Sequence, residues 1–146
     1  MAGKLPARLF VDTGAFIALC DRNDVYHREA VAFYTSLTKE TRLFTTLLVV
    51  SETYTWLRYR VGYSAASLFL EVIKDAVLGE WLSLVYPDEA ICKSAETLLH
   101  RFRDQDLSYS DAVSFAVLKA RSIGDVFGFD HHFYLVKKNL WPGGAR

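Results

Sequence analysis

Residues 9–19 read Leu-Phe-Val-Asp-Thr-Gly-Ala-Phe-Ile-Ala-Leu, a pattern that predicts a buried strand, a sharp turn and the start of a helix. Asp12 stands where the predicted strand ends. An ionised carboxylate in apolar surroundings is costly unless it is paired, hydrogen-bonded or bound to a cation. No basic residue nearby is an obvious partner, whereas Glu52, Asp111 and Asp130 are acids in similar settings. The four acids therefore predict a site for a divalent cation.

The composition predicts one folded domain over residues 1–146, because 51% of the residues are apolar and only 23% are charged. Basic and acidic residues both number 17, so the formal net charge is zero and nucleic-acid binding would need local patches or bound metal. We expect a cytoplasmic protein with no membrane span, since no apolar run reaches ~18 residues. Cys20 and Cys92 lack metal-type spacing and are interpreted as reduced packing residues.

Strand and helix patterns alternate along the chain. Strands are predicted at 9–12, 42–46, 81–86 and 125–129, and helices at 15–21, 25–39, 47–61, 65–78, 88–103, 109–121 and 131–138. Asn23-Asp24 and Ser64 are predicted to cap the helices that follow them. This order predicts an α/β fold with a parallel sheet that is covered by helices on both faces.

The predicted topology brings the acids towards one rim of the sheet. Asp12 and Asp130 follow the ends of strands, Glu52 lies on the helix after the second strand, and Asp111 lies in the first turn of its helix. Ligands of open α/β sheets bind beyond the carboxyl ends of the strands. Mutual repulsion would raise the pKa values of the four carboxyl groups, and a bound Mg²⁺ or Mn²⁺ would remove that conflict.

Each acid also has a purely structural interpretation. Asp12 and Asp130 could cap the helices that follow them, and Asp111 could close a capping box with Ser108. Glu52 could be a solvated residue on the surface of a helix. No single acid is strong evidence for a metal site, so the prediction rests on their joint arrangement.

Four short segments resemble, in order and spacing, the acidic motifs of PIN-domain ribonucleases. They are Phe10-Val11-Asp12-Thr13, Ser51-Glu52, Leu107-Ser108-Tyr109-Ser110-Asp111-Ala112 and Phe129-Asp130-His131-His132-Phe133. Residues 23–27, Asn-Asp-Val-Tyr-His, resemble the helix start that follows the first motif in VapC-type toxins of that family. The resemblance covers nearly the whole chain.

The resemblance implies a PIN-like three-layer α/β/α sandwich with a central parallel sheet of four to five strands. It implies a Mg²⁺- or Mn²⁺-dependent endoribonuclease that hydrolyses RNA phosphodiester bonds, with Asp12, Glu52, Asp111 and Asp130 as catalytic residues and metal ligands. It further implies an RNA substrate, an antitoxin protein as a partner, and a homodimer.

One position departs from the family pattern. Many relatives carry Thr or Ser two residues before the last acid, where this chain has Gly128, and this absence predicts a weaker role for Asp130. Two alternatives remain open: an RNA-processing nuclease without an antitoxin, and a non-catalytic module that binds RNA or protein. A phosphatase with an aspartyl-phosphate intermediate is disfavoured, because Gly14 stands where a second aspartate is expected.

Aromatic and basic residues interleave at Tyr54, Trp56, Arg58, Tyr59, Arg60 and Tyr63, where packing or partner contacts are favoured over RNA contacts. Arg101, Arg103, Lys137 and Lys138 are candidate phosphate contacts, although solvated helix ends are the simpler interpretation. Metal ligation by His131 and His132 together is disfavoured, because adjacent side chains on a helix diverge by about 100°.

Overall fold

The computed structural model describes residues 3–143. Within this range the elements are β1 (Arg8–Val11), α1 (Thr13–Cys20), α2 (His27–Ser36), β2 (Arg42–Thr46), α3 (Leu47–Arg60), α4 (Tyr63–Leu78), β3 (Leu82–Val85), α5 (Glu89–Arg101), α6 (Tyr109–Ala120), β4 (Asp125–Phe127), a 3₁₀ helix (His131–Val136) and β5 (Asn139–Trp141). Residues 1, 2 and 144–146, which the single-domain prediction includes, lie outside the described residues.

The five strands form one parallel sheet in the order β3-β2-β1-β4-β5. Strand β1 lies at the centre, with Phe10 opposite Phe44 on one side and Val126 on the other. Parallel sheets need apolar residues on both faces because helices cover both. The predicted α/β fold with a parallel sheet is therefore confirmed.

Alternation along β1 divides the core into two layers. Phe10 packs with Phe44 and Val126 against α5 and α6, whereas Leu9 and Val11 pack against α1 and α2 on the other face. Helices α3 and α4 form a further group on the face of α1 and α2. The helical layers leave the carboxyl ends of β1 and β4 as the rim at which Asp12 and Asp130 emerge.

The last strand of the sheet was not among the predicted strands. β4 ends at Phe127, two residues earlier than predicted, and residues 139–141 add β5 beside it. Three residues are too few for a periodic pattern to be recognised. Side-chain contacts fix this edge instead, because Trp141 Nε1 donates to Asp125 Oδ1 at 2.9 Å.

Two predicted helix caps are wrong. Helix α2 begins at His27, because Asp24 Oδ1 accepts a hydrogen bond from Tyr26 N at 2.8 Å and forms a turn before the helix. Helix α4 begins at Tyr63, so Ser64 lies inside the first turn and caps nothing. The residue before it, Gly62, has a φ of 141°, a conformation that glycine adopts without strain.

The predicted helix at 131–138 is a 3₁₀ helix that ends at Val136. Arg8, at the start of β1, donates hydrogen bonds to the carbonyl groups of Arg121 and Ser122, both at 2.8 Å. These two contacts join the start of the central strand to the carboxyl end of α6. None of the helices between residues 3 and 143 combines the length and apolar character that a bilayer crossing requires.

Candidate metal centre

Asp12 is held at the end of the central strand by backbone contacts. Its N–H donates to Phe127 O at 3.0 Å, and the hydroxyl of Thr45 donates to Val11 O at 2.8 Å. Only 6% of Asp12 is exposed. Its side chain makes no capping hydrogen bond to α1, so the interpretation of Asp12 as a simple helix cap is wrong.

The charge of Asp12 is opposed by its surroundings. Burial and then the negative charge of Asp111 raise its pKa, with smaller contributions from the charges of Asp130 and Glu52, and together these effects bring the pKa to about 8. The backbone N–H of Thr13 opposes these effects. Acids on four separate segments therefore act on one another at this rim.

Asp111 forms the predicted capping box and also lies in the acidic cluster. Ser108 Oγ accepts from Asp111 N at 3.0 Å, and Ser108 N donates to Asp111 Oδ2 at 3.1 Å, which forms the predicted capping box of α6. Burial nevertheless raises the pKa of Asp111, and the charge of Asp130 contributes to the increase. The capping contact fixes the direction of a carboxylate that remains at the acidic cluster.

Asp130 is oriented by His132. Asp130 Oδ1 accepts from His132 N at 2.9 Å, the predicted cap of the last helix, and lies 2.8 Å from His132 Nδ1. Ligand atoms of Asp111, Asp130 and His132 all lie within 4.8 Å of one another, and they form the closest group at the site. Asp12 and Glu52 act on this group through their charges.

His132 was considered from the sequence only as an acid–base group and as a disfavoured joint ligand with His131, and its place beside Asp111 and Asp130 was not predicted. The imidazole rings of His131 and His132 stack with their centroids 4.5 Å apart, so the expected divergence of adjacent side chains does not occur. Of these two histidines, His132 alone belongs to the group with Asp111 and Asp130. The signal in the sequence was its position two residues after Asp130, where a histidine can contact the carboxylate that caps the same turn.

Glu52 is exposed to solvent, but its carboxyl group is directed towards the cluster. Burial raises its pKa and the charges of Asp111 and Asp130 contribute to the increase, while the hydroxyl groups of Thr13 and Ser110 lower it. Thr13 Oγ1 is buried close to the Glu52 carboxyl group, but within the described part of the chain it forms no hydrogen bond of good geometry, with Glu52 or any other residue. A buried hydroxyl without a partner indicates that a further polar group belongs at this site.

The donor set fits a hard divalent cation. Carboxylate oxygens are the ligands that Mg²⁺ and Mn²⁺ prefer. The raised pKa values of Asp12, Glu52 and Asp111 reflect burial first and mutual repulsion second, and a cation would offset both. Thr13 supplies an unpartnered hydroxyl oxygen beside these groups. The acidic cluster can therefore hold a metal ion.

Gly128 lies against Asp12, and the predicted weaker role of Asp130 stays a prediction. A Cβ atom at position 128 would lie 3.2 Å from Asp12 Cβ and 3.7 Å from Asp12 Oδ2, with Val126 as its other near neighbour. Any larger residue must displace the side chain of Asp12 by a few tenths of an ångström. The glycine thus preserves the space in which the buried carboxylate lies.

The PIN domain family profile matches residues 9–139. A VapC ribonuclease of Archaeoglobus fulgidus is 29% identical over 136 residues, which cover 90% of this chain and 83% of the relative. The 23S rRNA-specific endonuclease VapC20 of Mycobacterium tuberculosis is 29% identical over 125 residues, which cover 86% of this chain and 91% of the relative.

Solved structures support the same fold. The structure of Mycobacterium tuberculosis VapC20, described as a toxin that cleaves the sarcin-ricin loop, superposes with a TM-score of 0.76 at 29% identity and covers 88% of this chain and 94% of that chain. The structure of FitAcB from Neisseria gonorrhoeae has a TM-score of 0.64 at 16% identity and covers 92% of this chain and 96% of that chain. The second likeness concerns the fold alone.

The raised pKa of Asp12 predicts how the free energy of unfolding depends on pH when no metal is present. Its pKa is about 8 in the folded protein against 3.8 ordinarily, so the folded state binds more protons than the unfolded state between these values. The stabilisation that protonated Asp12 gives the folded state is complete below about pH 4. It is lost as the pH rises through about 8, and the free energy of unfolding falls by up to ~1.4 kcal/mol per pH unit. Urea unfolding in chelator at pH 5 to 8 measures this slope.

Asp12→Asn is the matched variant, because it keeps the shape of the side chain and removes the titration. The slope should decrease in this variant, and its free energy of unfolding at pH 7.5 should exceed that of the unsubstituted protein. An unchanged slope in Asp12→Asn would assign the pH dependence to other groups.

Proposed function

Because the chain belongs to the PIN domain family, we propose that it is a metal-dependent endoribonuclease that hydrolyses the phosphodiester bonds of RNA. The observation that carries this proposal is the acidic cluster at the carboxyl ends of β1 and β4, where Asp12 has a pKa of about 8. Two relatives at 29% identity are named as a ribonuclease and as a 23S rRNA endonuclease, which supports the same activity.

Asp12, Glu52, Asp111 and Asp130 would hold Mg²⁺ or Mn²⁺. When bound, the cation would supply positive charge to the scissile phosphate and lower the pKa of an attacking water. The protein groups position the ligands: the capping box directs Asp111, and His132 directs Asp130. Burial of Asp12 holds the central carboxylate away from bulk water.

A catalytic role fits these residues better than a non-catalytic binding module. A module that only binds RNA gains nothing from clustered carboxylates, since their charges repel the phosphate backbone. Mutual repulsion at Asp12, Glu52 and Asp111 also costs folding free energy without a cation. The presence of all four acids at one rim therefore favours metal-assisted hydrolysis.

An apolar groove supports an antitoxin as partner and favours the toxin over an RNA-processing nuclease without one. Helices α1, α2 and α4 bound this groove, which has a volume of about 440 Å³. Its lining is mainly apolar and includes Val31, Tyr34, Leu68 and Val72, of which Leu68 is 60% exposed. A groove of this kind fits the apolar face of an amphipathic helix, and we assign that helix to an antitoxin protein.

A second copy of the chain is proposed to cover the exposed face of α3 and the start of α4. Tyr59 is 82% exposed and Tyr63 is 61% exposed. The guanidinium of Arg60 lies 5.8 Å from the ring of Trp56, and that of Arg58 lies 5.7 Å from the ring of Tyr63. Aromatic residues and arginine are enriched at protein interfaces, so this face fits a homodimer.

The purified protein should cleave RNA in the presence of Mg²⁺ or Mn²⁺ and lose activity in chelator. Asp12→Asn and Asp111→Asn should each lower the cleavage rate ~100-fold or more. Substitution of residues that merely hydrogen-bond to metal ligands already lowers metal affinity or activity by about 10- to 100-fold. Asp75→Asn, an exposed acid on α4, is the control that should retain full activity. Full cleavage by either site variant would contradict the metal mechanism.

The antitoxin proposal predicts growth arrest on expression in a bacterium and relief when the neighbouring reading frame is expressed with it. Leu68→Asp should keep RNA cleavage but weaken neutralisation at least ~10-fold, since buried interface anchors are worth ~2 kcal/mol. Leu78→Asp is the control, because Leu78 is 82% exposed on the same helix and lies outside the groove. Equal neutralisation of Leu68→Asp and Leu78→Asp would show that the groove does not bind the antitoxin.

The homodimer proposal predicts that sedimentation velocity finds a dimer for the unsubstituted protein. Tyr59→Glu should shift this equilibrium to the monomer, because it places a charge in a face that the second copy covers. Lys74→Gln, an exposed residue on α4, should leave the dimer intact. A dimer that persists in Tyr59→Glu would place the contact elsewhere.

A further inference from the structure

A second cavity, of about 580 Å³, lies at the carboxyl ends of α5, α6 and the 3₁₀ helix. Its floor is apolar and includes the buried side chains of Phe115, Leu118 and Ile123. Four basic residues surround it: Arg101, Lys119, Lys137 and Lys138. Within residues 3–143 no acidic residue lines this cavity, and none of the four cations forms an ion pair. We call it the basic cavity.

The basic cavity and the acidic cluster lie at opposite ends of the same two elements. Helix α6 has Asp111 in its first turn and Lys119 in its last, a separation of ~12 Å at the rise of an α-helix. The 3₁₀ helix is capped by Asp130 and ends at Lys137, a separation of ~14 Å at the rise of that helix. Residues 112–118 of α6 are buried, so only the path along the 3₁₀ helix, where Tyr134 is 42% exposed, is open to a ligand, and this path places Lys137 a few nucleotides from Asp130.

The carboxyl end of α6 would ordinarily repel an anion, because its last carbonyl groups carry partial negative charge. Here Arg8 donates hydrogen bonds to the carbonyl groups of Arg121 and Ser122, both at 2.8 Å. The guanidinium neutralises the helix end beside the basic cavity. An anion can therefore approach Lys119 without opposition from the helix.

The backbone of Lys137 adopts a conformation that favours glycine. Lys137 has a φ of 58°, in the left-handed region, where its N–H donates to Tyr134 O at 3.1 Å to end the 3₁₀ helix. Glycine is the favoured residue at such a position, because a Cβ atom is strained there. A lysine in this conformation costs stability relative to glycine, which is consistent with a role for its ammonium group at the cavity.

We propose that the basic cavity binds the RNA substrate a few nucleotides from the scissile bond. In this arrangement Lys119 and Lys137 contact a phosphate, and a base or ribose packs on the apolar floor. This inference rests on the proposed ribonuclease function. RNA is favoured over an acidic protein segment, because the partly exposed 3₁₀ helix connects Lys137 to Asp130, one of the acids that would cleave it. The cavity gives a neutral chain the local positive charge that RNA binding requires.

The test measures binding of a labelled single-stranded RNA by fluorescence anisotropy in the Asp12→Asn background, which removes cleavage. The double substitution Lys119→Gln and Lys137→Gly should raise Kd at least ~10-fold and lower the slope of log Kd against log salt by ~0.7 per lost phosphate contact. Lys74→Gln, outside the cavity, should change neither quantity.

Lys137→Gly alone separates a binding role from a structural one. Relief of the left-handed backbone should keep or raise the unfolding temperature, while RNA binding weakens. In the active protein the cavity variants should raise KM and leave kcat close to its original value, because the acids are intact. A purely structural role for Lys137 would instead change stability and leave Kd and KM unaltered.

Failure of the basic-cavity inference and failure of the proposed ribonuclease function give different results in these experiments. If the unsubstituted protein cleaves RNA and the cavity variants bind it as Lys74→Gln does, the inference is overturned while the ribonuclease function stands. If the unsubstituted protein neither binds nor cleaves RNA, both are overturned. If the cavity variants bind RNA normally but escape neutralisation by the neighbouring gene product, the cavity serves an acidic protein partner and the inference is wrong.

Discussion

The enforced proximity of negative charges around Asp12 is the constraint on which the rest of the site depends. The central strand delivers this carboxylate into a buried position, and three further segments bring acids towards it. Local contacts hold two of these acids in place, through Ser108 at one and His132 at the other. Burial and mutual repulsion of these carboxyl groups lower the stability of the folded state near neutral pH, and a bound cation would offset that cost.

Much of the fold follows directly from local sequence patterns. Strand β2 was predicted at its observed bounds, and Ser108 and Asp111 form the capping box that their spacing indicates. The failures have physical causes. A strand of three residues has no period, and the start of α2 depends on a side-chain turn at Asp24 that competes with a cap at the same residue.

The site was predictable to the extent that strand ends define a rim. Sequence order placed Asp12, Glu52, Asp111 and Asp130 near one another, whereas the close group of Asp111, Asp130 and His132 depends on the 3₁₀ turn. The effect of Gly128 also required coordinates, since its nearest neighbours are atoms of Asp12 and Val126. Contacts between residues distant in sequence determine these details, so they cannot be predicted from the spacing of residues along the chain.

The double role of Asp111 changes how loss-of-function data from this protein should be interpreted. A genetic screen that scores only growth would recover truncating changes at this position for two unrelated reasons. Alanine removes the carboxylate and the hydrogen bond from Ser108 N, so α6 loses one of the two bonds of its capping box, and under the proposed function the activity is lost as well. Asparagine retains an oxygen for the cap, and a comparison of the two replacements separates unfolded protein from folded, inactive protein.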